Sequence, residues 1–570
     1  MKSLAPPVLL PDGSEFKTWE ATPRFTKTYY VAQKRPQASD ANPGTRERPF
    51  KTIGRAAAVL QPGERVVVAE GVYREHVRPA RGGTSPTRMV SYEAEPGATV
   101  VIKGSKVFTE TWTPSTHEGK TPKGIWQAKL APKYFPNWNP FDIENVTKEQ
   151  FDHMPWAHAL RGRLPYTLPR GMVFQQGKLL KQVTRYDVLA NTPGSYWVDR
   201  QAQVVHIHPR GGGDPNGRLF EITTERVAFG PEKTGLGFIR VRGFVVEQVG
   251  NCFPMQQEGA ISTWRGHHWI IEHNTVRWAN GVGIDLGLQA GWWPQPPVIG
   301  KHICRRNTIE DIGVCGIAGI GVHDDFHLLV EDNLIRRCAW HNVERLYETG
   351  GIKTHRNTNC LLRRNLIVDT LHGSGIWMDF TNANSRCTQN VVIGSRSRFH
   401  GGIFVEASCR PNLVDHNIVW GTRGCGIYEH DCSNQVFAHN LIAHSTKAAI
   451  LLRGKVTNRK LYGKPIASGG HRAVNNLFVG NQPNAVVQQK GKSEVAGNLD
   501  AGIEAQLDPT THTLTLSLPK PLPRCIVLNA VTHDYRGVER GRPRRTPGPF
   551  EVEAGSSTKI RLAPDDLEAR

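Results

Sequence analysis

Residues 351–430 read GIKTHRNTNCLLRRNLIVDTLHGSGIWMDFTNANSRCTQNVVIGSRSRFHGGIFVEASCRPNLVDHNIVWGTRGCGIYEH. Two marks alternate in this stretch. Asn365, Asn390 and Asn417 each stand before an apolar pair, and Gly351-Ile352, Gly375-Ile376, Gly402-Ile403 and Gly426-Ile427 fall between them. The asparagine mark extends outward to Asn274, Asn307, Asn333, Asn440 and Asn476, at intervals of 33, 26, 32, 25, 27, 23 and 36. The second mark extends to Ala260-Ile261, Gly283-Ile284, Gly319-Ile320, Ala449-Ile450 and Ala485-Val486. Short apolar runs separated by Gly-rich turns, repeating every 23 residues or more, predict a parallel β-helix with one coil per repeat. Asn suits its turn because it tolerates the left-handed conformation, and stacked copies can join their amides in a ladder. The Leu-x-x-Leu-x-Leu spacing of a leucine-rich horseshoe is missing.

Side chains alternate across a strand, so the Ile of each Gly-Ile mark and the residue two further on share one face, expected to be the interior. Leu286, Val322, Met378, Val405 and Leu452 fit that face. The opposite parity points outward. Four residues after the Gly or Ala come Trp264, Gly287, His323, His355, Asp379, Glu406, His430, Arg453 and Gln489; two residues after it come Lys353, Trp377, Phe404 and Tyr428 in the central coils. Carboxylates flanked by histidines and lined by aromatics read as the floor of a groove.

The ends differ from the middle. YYVAQKRPQASDANPGTRERPFKTIGRAAAVLQPGERVVVAEGVYREHV resembles the entry segment of many right-handed parallel β-helix proteins. Its ERPFKTIGRAAAVL piece has helical periodicity and would cap the open coil end, and VVVAEGVY and TVVIKGS would be the first coil strands. From about Val107 to Thr224 prolines and tryptophans crowd in, followed by alternating strands with QQGK and DRQAQ as hairpin turns. This predicts an inserted β-sandwich. The expected organisation is a cap and first coils over 1–106, the insert over 107–224, the main β-helix with its groove over 225–498, and a strand-rich closing segment over 499–570, with THTLTLSL and PFEVEAGSSTKIRL as strands.

The chain has 570 residues, with 57 Gly and 38 Pro in no collagen period, and its 71 Lys+Arg against 51 Asp+Glu give a net charge of +20. No recognition motif and no long basic block accompanies that charge, so nucleic acid is not the expected partner; an oligo- or polysaccharide is, and an anionic one would use the charge. No stretch has 18 consecutive apolar residues, so no membrane span is expected. The ten cysteines form no Cys-x-x-Cys pair and read as buried free thiols. The opening MKSLAPPVLLPDGS is a poor signal peptide; a native start implies a cytoplasmic protein, and a removed leader a secreted or periplasmic one.

Asp379 and Glu406 hold the same motif position in consecutive coils. Neighbouring parallel strands lie about 4.8 Å apart, so the carboxyls should be ~5 Å apart. Retaining glycosidases place theirs about 5–5.5 Å apart, inverting ones about 6.5–9.5 Å. The spacing therefore predicts retention: one carboxylate attacks the anomeric carbon while the other protonates the leaving oxygen and then activates water. Like charges this close push one proton affinity upward. Trp377, Phe404 and Tyr428 offer faces for a sugar ring; Lys353, His355, His430 and His323 would bond hydroxyls or hold charge.

GIKTH (351–355), GIWMDF (375–380) and GIFVEAS (402–408), with the YWVDRQAQVVHIH insert and the late THDYRG…PGPF element, resemble glycoside hydrolase family 120. The resemblance covers most of the chain. It implies an all-β fold, a right-handed parallel β-helix with an inserted β-sandwich, and retaining β-xylosidase activity. It further implies Asp379 as nucleophile, Glu406 as acid/base and Glu348 as a further acidic contact to the sugar. No metal or cofactor is expected on this reading, and exo action would follow if the insert walls off one end of the groove.

Two other classes remain open on the residues alone. A polysaccharide lyase on the same fold would use Lys353 or a histidine as base, with Ca²⁺ held by Asp324, Asp325 and Asp379. A non-catalytic carbohydrate-binding solenoid would keep the aromatics without needing the paired acids. An inverting polygalacturonase-type enzyme lacks its Gly-His-Gly segment, and no zinc ligand set stands out among the outward histidines.

Overall fold

The computed structural model describes residues 1–152, 154–253, 258–287, 298–321, 326–344, 348–461, 463–541 and 546–562. Among them, three long parallel sheets of 13, 11 and 9 strands wind as a β-helix. One coil shows the pattern. Leu361–Arg363 lies in the first sheet, Leu366–Val368 in the second and Ser374–Asp379 in the third, and the chain re-enters the first sheet at Arg386–Thr388, one rung along. The inward Ile376, Met378, Ile403, Val405, Ile427, Val392 and Val419 join one continuous apolar core.

Two sequence marks acquire their reasons here. The asparagines sit at the corner between the first and second sheets. Asn274 Nδ2 donates to Asn307 Oδ1, and the chain of amides continues through Asn333, Asn365, Asn390, Asn417, Asn440 and Asn476 to Asn498 at 2.9–3.1 Å. The ladder forms as expected, but the left-handed residue is not the asparagine. It is the residue before it: His273, Arg306, Asp332, Arg364, Gln389, His416, His439 and Asn475 all have φ between 51° and 58°. That residue turns the corner, and the asparagine uses its amide to satisfy the backbone groups the corner leaves unpaired. Glycine of the Gly-Ile mark stands where strands of two sheets meet. A Cβ on Gly375 would lie 2.4 Å from Val392 Cγ1, and one on Gly426 2.1 Å from Ile442 Cγ2.

Residues outside the coils cover two of the three faces. Val8, Leu10 and Phe16 pack on Ile270, Ile303, Leu329 and Leu361 of the first sheet, and Leu528 and Val531 continue that cover over Leu413, Ala438 and Val474. The outward row Leu366, Val391, Ile418, Leu441 and Leu477 of the second sheet is sealed by Leu514, Leu516 and Ile560. These come from a three-stranded antiparallel sheet, Glu504–Asp508, Thr513–Ser517 and Ser557–Arg561. Its last strand starts at Ser557; the expected strand at PFEVEAG is irregular chain. Helix Ile53–Val59, capped by the Thr52 side chain, packs Ile53, Ala56 and Ala57 into the core at the first coils.

A two-sheet insert leaves the coils at Ser105–Phe108 and returns at Phe220–Thr223, and these two strands pair antiparallel. Its sheets hold five and four strands around Phe108, Trp112, Phe141, Tyr196, Val205 and Ile207. The hairpin turns fall at Gln176-Gly177 and at 200–203. All ten cysteines are free thiols, and no helix among the described residues is long and apolar enough to cross a membrane. The third sheet keeps its outward face for side chains of another kind.

Candidate active site

Four consecutive rungs of the third sheet build the site: Gly350–His355, Ser374–Asp379, Gly401–Glu406 and Cys425–His430. Register pairs His355 with Asp379 and Glu406 with His430; Met378 with Val405 makes Asp379 and Glu406 neighbours across one strand spacing. The same register stacks Lys353, Trp377, Phe404 and Tyr428. Each rung then turns on a left-handed residue, Arg356, Phe380, Ala407 and Asp431, directly after His355, Asp379, Glu406 and His430. The four side chains thus project from strand ends beside a bend.

One predicted member does not belong to this column. Ile317 pairs with both Ile284 and Ile352, so the rung uses Gly316-Ile317 and not Gly319-Ile320. The segment GIAGI holds two Gly-Ile pairs three residues apart, an odd offset that swaps faces. Ile320 therefore stands beside His355 where His323 was expected. His323 itself, with Val322, Asp324 and Asp325, lies outside the described residues.

The carboxyls are almost withdrawn from solvent, with Asp379 7% and Glu406 5% exposed. Fully buried Lys353 places Nζ 2.9 Å from Asp379 Oδ2, against Glu348, and 4.1 Å from the centre of the Trp377 ring. Glu348, which no strand phase located, thus enters from the turn before its rung. Glu406 Oε1 lies 3.0 Å from His430 Nε2 and 2.5 Å from Arg459 Nη2. Tyr428 hydroxyl contacts His430 Nδ1 at 3.1 Å and accepts from Arg453 at 2.8 Å. The aromatics pack on one another: Trp377 stacks on Phe404 with centroids 5.1 Å apart and His400 lies parallel to Phe404 at 4.3 Å, so Phe404 at 0% exposure and Tyr428 at 2% do not offer the open faces expected for a sugar ring. Among the described residues, His355 Nδ1 and Trp377 Nε1 are buried without a hydrogen-bond partner.

The two acids have opposite proton affinities. Burial pushes Asp379 up from 3.8 to about 6, Lys353 opposes that rise, and the charge of Glu406 adds to it. Glu406 is also buried, yet its bond to His430 and the charges of His430 and Arg459 hold it well below the usual carboxylate range. Burial lowers His355 far below an ordinary histidine, helped by the Lys353 charge, and lowers His400 to about 4, so both rings are neutral at pH 7.

Arg459 and His400 were not singled out in the sequence, and Arg453 stood there only as the next member of the outward column. Arg459 and Arg453 belong to the long connection between Ile450–Leu452 and Arg472–Val474, which also carries the short hairpin Lys460–Leu461 and Lys464–Pro465. The 36-residue gap between Asn440 and Asn476, the longest in the series, is the sign of that extension. His400 closes a turn pinned by Glu344, which accepts from Ser397 Oγ at 2.6 Å and from the Arg398 amide at 2.9 Å.

A family model described as "Right handed beta helix region" matches residues 259–442, and one described as "Protein of unknown function (DUF1565)" matches residues 37–80. Among solved structures the chain is similar to XylC in complex with xylose, at 22% identity and a TM-score of 0.70, covering 94% of this chain and 100% of that one. It also aligns with a GH136 lacto-N-biosidase from Eubacterium ramulus, at 15% identity and a TM-score of 0.44, over 82% of this chain and 68% of that one. A curated relative, the uncharacterized protein YwoF of Bacillus subtilis (strain 168), is 38% identical over 74 residues, which is 13% of this chain and 15% of that protein. The chain is a right-handed parallel β-helix, and the likeness to XylC is one of fold.

Proposed function

We propose that the chain is a retaining, exo-acting glycoside hydrolase of β-xylosidase type that cleaves oligo- or polysaccharides by double displacement. The observation that carries this reading is the pair of buried carboxyls on adjacent rungs; Asp379 has the raised proton affinity and Glu406 the lowered one, the reverse of the order the two roles require, so sugar binding must exchange them. A strand spacing of about 4.8 Å is close to the 5–5.5 Å separation of retaining enzymes and leaves no room for a water between the groups. The family resemblance supplies the roles, and the fold of XylC, a protein solved with xylose, supports them.

Asp379, ionised above about pH 6, attacks the anomeric carbon. The bond from that carbon to the leaving oxygen breaks, and the proton of Glu406 passes to the oxygen. In the second half Glu406 takes a proton from water, the water oxygen bonds the anomeric carbon, and Asp379 departs as carboxylate. Lys353 balances the charge of Asp379 in both halves. Glu406 starts ionised under Arg459 and His430, so entry of the leaving sugar must break the Arg459 contact before Glu406 can carry a proton. His355 Nδ1 and Trp377 Nε1 are available for sugar hydroxyls. No cofactor is needed. The lyase alternative asks Asp379 to hold Ca²⁺, a place the Lys353 ammonium already takes.

A panel of aryl glycosides tests the reading. Wild type should release the aglycone and give a first product of unchanged anomeric configuration by proton NMR. Glu406→Ala should lose turnover and, with azide, regain it as a glycosyl azide of the same configuration. A product of inverted configuration, or an unsaturated one absorbing in the ultraviolet, overturns it.

A further inference from the structure

The inserted sandwich contains a second cluster of chemically able side chains, remote from the groove in sequence and independent of the reading above. His117 stands in the tight antiparallel turn it forms with Lys120, Asp199 ends the strand Ser195–Asp199, and His206 lies in the paired strand Val204–His208. One ligand atom from each lies within 4.8 Å of those of the other two, the one such group among the described residues. His117 Nδ1 is 3.4 Å from Asp199 Oδ2. Two ligands at the 2.0–2.2 Å bond lengths of zinc, set tetrahedrally, are about 3.4 Å apart.

Two of the three are already fixed from behind. Asp199 Oδ1 accepts the Ala202 amide at 2.9 Å, leaving Oδ2 toward His117. His206 Nδ1 meets Ser115 Oγ at 2.8 Å, and that hydroxyl meets Tyr186 OH at 2.7 Å, which commits Nε2 of His206 to any further partner. Such outer contacts set the tautomer and aim of metal-binding histidines. Tyr186 and Trp197 wall the cluster, with ring centres 4.7 and 4.8 Å from that of His117.

We propose that His117, Asp199 and His206 form a binding site for a zinc-class divalent ion, with two imidazoles and one carboxylate as ligands and a fourth position toward solvent. Imidazole and carboxylate donors in this number select such an ion over calcium or magnesium, which take oxygen ligands. The ion would fasten the 115–120 turn to the sheet edge. The sequence hid the set because its members come from a turn and two separate strands.

The test uses the tag-free full-length chain, stripped with chelator and desalted, then titrated with Zn²⁺ by calorimetry and with Co²⁺ by visible absorption. Wild type should bind one tight equivalent and show tetrahedral Co²⁺ bands. His117→Asn, on the turn, and Asp199→Asn should each weaken that equivalent at least about tenfold while circular dichroism stays unchanged. The proposal fails if both variants titrate as wild type does, or if wild type takes up neither ion at about 0.1 mM, a range where even weak sites fill.

Discussion

Lys353 is a fully buried lysine compensated, among the described residues, by Glu348, Asp379 and the Trp377 ring. It decides the charge of Asp379. Asp379 must be ionised to attack, so kcat, read with the sugar bound and Glu406 freed from Arg459, should rise as pH rises through about 6. Lys353→Met removes the cation that favours the anion, so that acid limb should move to higher pH, by about 1 unit or more, with kcat falling at least about tenfold. A pH profile that keeps its acid limb in place counts against Asp379 as nucleophile. Arg459 acts on the other acid with the opposite sign. Glu406 must be protonated to donate, and removing a cation raises its proton affinity. Arg459→Gln should therefore leave more of Glu406 protonated in the free enzyme and raise kcat/KM at neutral pH. The strand residues of this site were legible because parity and a repeating mark fix which way each side chain points. Arg459 and His400 were not, because they enter from turns whose lengths break the period, and no local rule says where a long connection folds back.

At the scale of the element, the asparagine ladder carries the corner. Asn390 donates to Asn417 Oδ1 and to the carbonyls of Leu362 and Thr388, and accepts from both nitrogens of Asn365. Asn390→Ala strands several buried groups, each costing about 1–3 kcal/mol. A loss near 3 kcal/mol in urea unfolding is expected, against about 1 kcal/mol for the half-exposed Asn498 at the ladder's end. Equal losses at both positions would mean that the amide chain contributes little. Repeat and asparagine were both legible from spacing. The left-handed φ on the preceding residue was not, since His, Arg, Asp, Gln and Asn all occupy it. What selects there is tolerance of a strained backbone, without a favoured side chain. GIAGI shows the same limit from another side: two marks in odd register cannot be told apart until neighbouring rungs choose.

The whole molecule is a solenoid whose coils touch chiefly their neighbours, with its two apolar outer faces closed by chain ends. The third face carries the paired acids, buried under the turn at 397–400 and the connection that brings Arg459. Leu516→Asp tests this division. It should open the outer row of the second sheet, seen as raised dye binding and an early thermal transition, while aryl glycoside turnover below that transition stays near wild type. Loss of turnover without loss of fold would tie the two faces together.

Register between rungs has one more result. Evolution lengthens such a chain by copying a coil. A copy placed anywhere else in the stack leaves the two acids as they are. A copy slipped between Ser374–Asp379 and Gly401–Glu406 would part them by two strand spacings, about 9.6 Å, close to the gap in which a water molecule attacks directly. A single duplication could thus exchange one stereochemical outcome for the other without altering either acid.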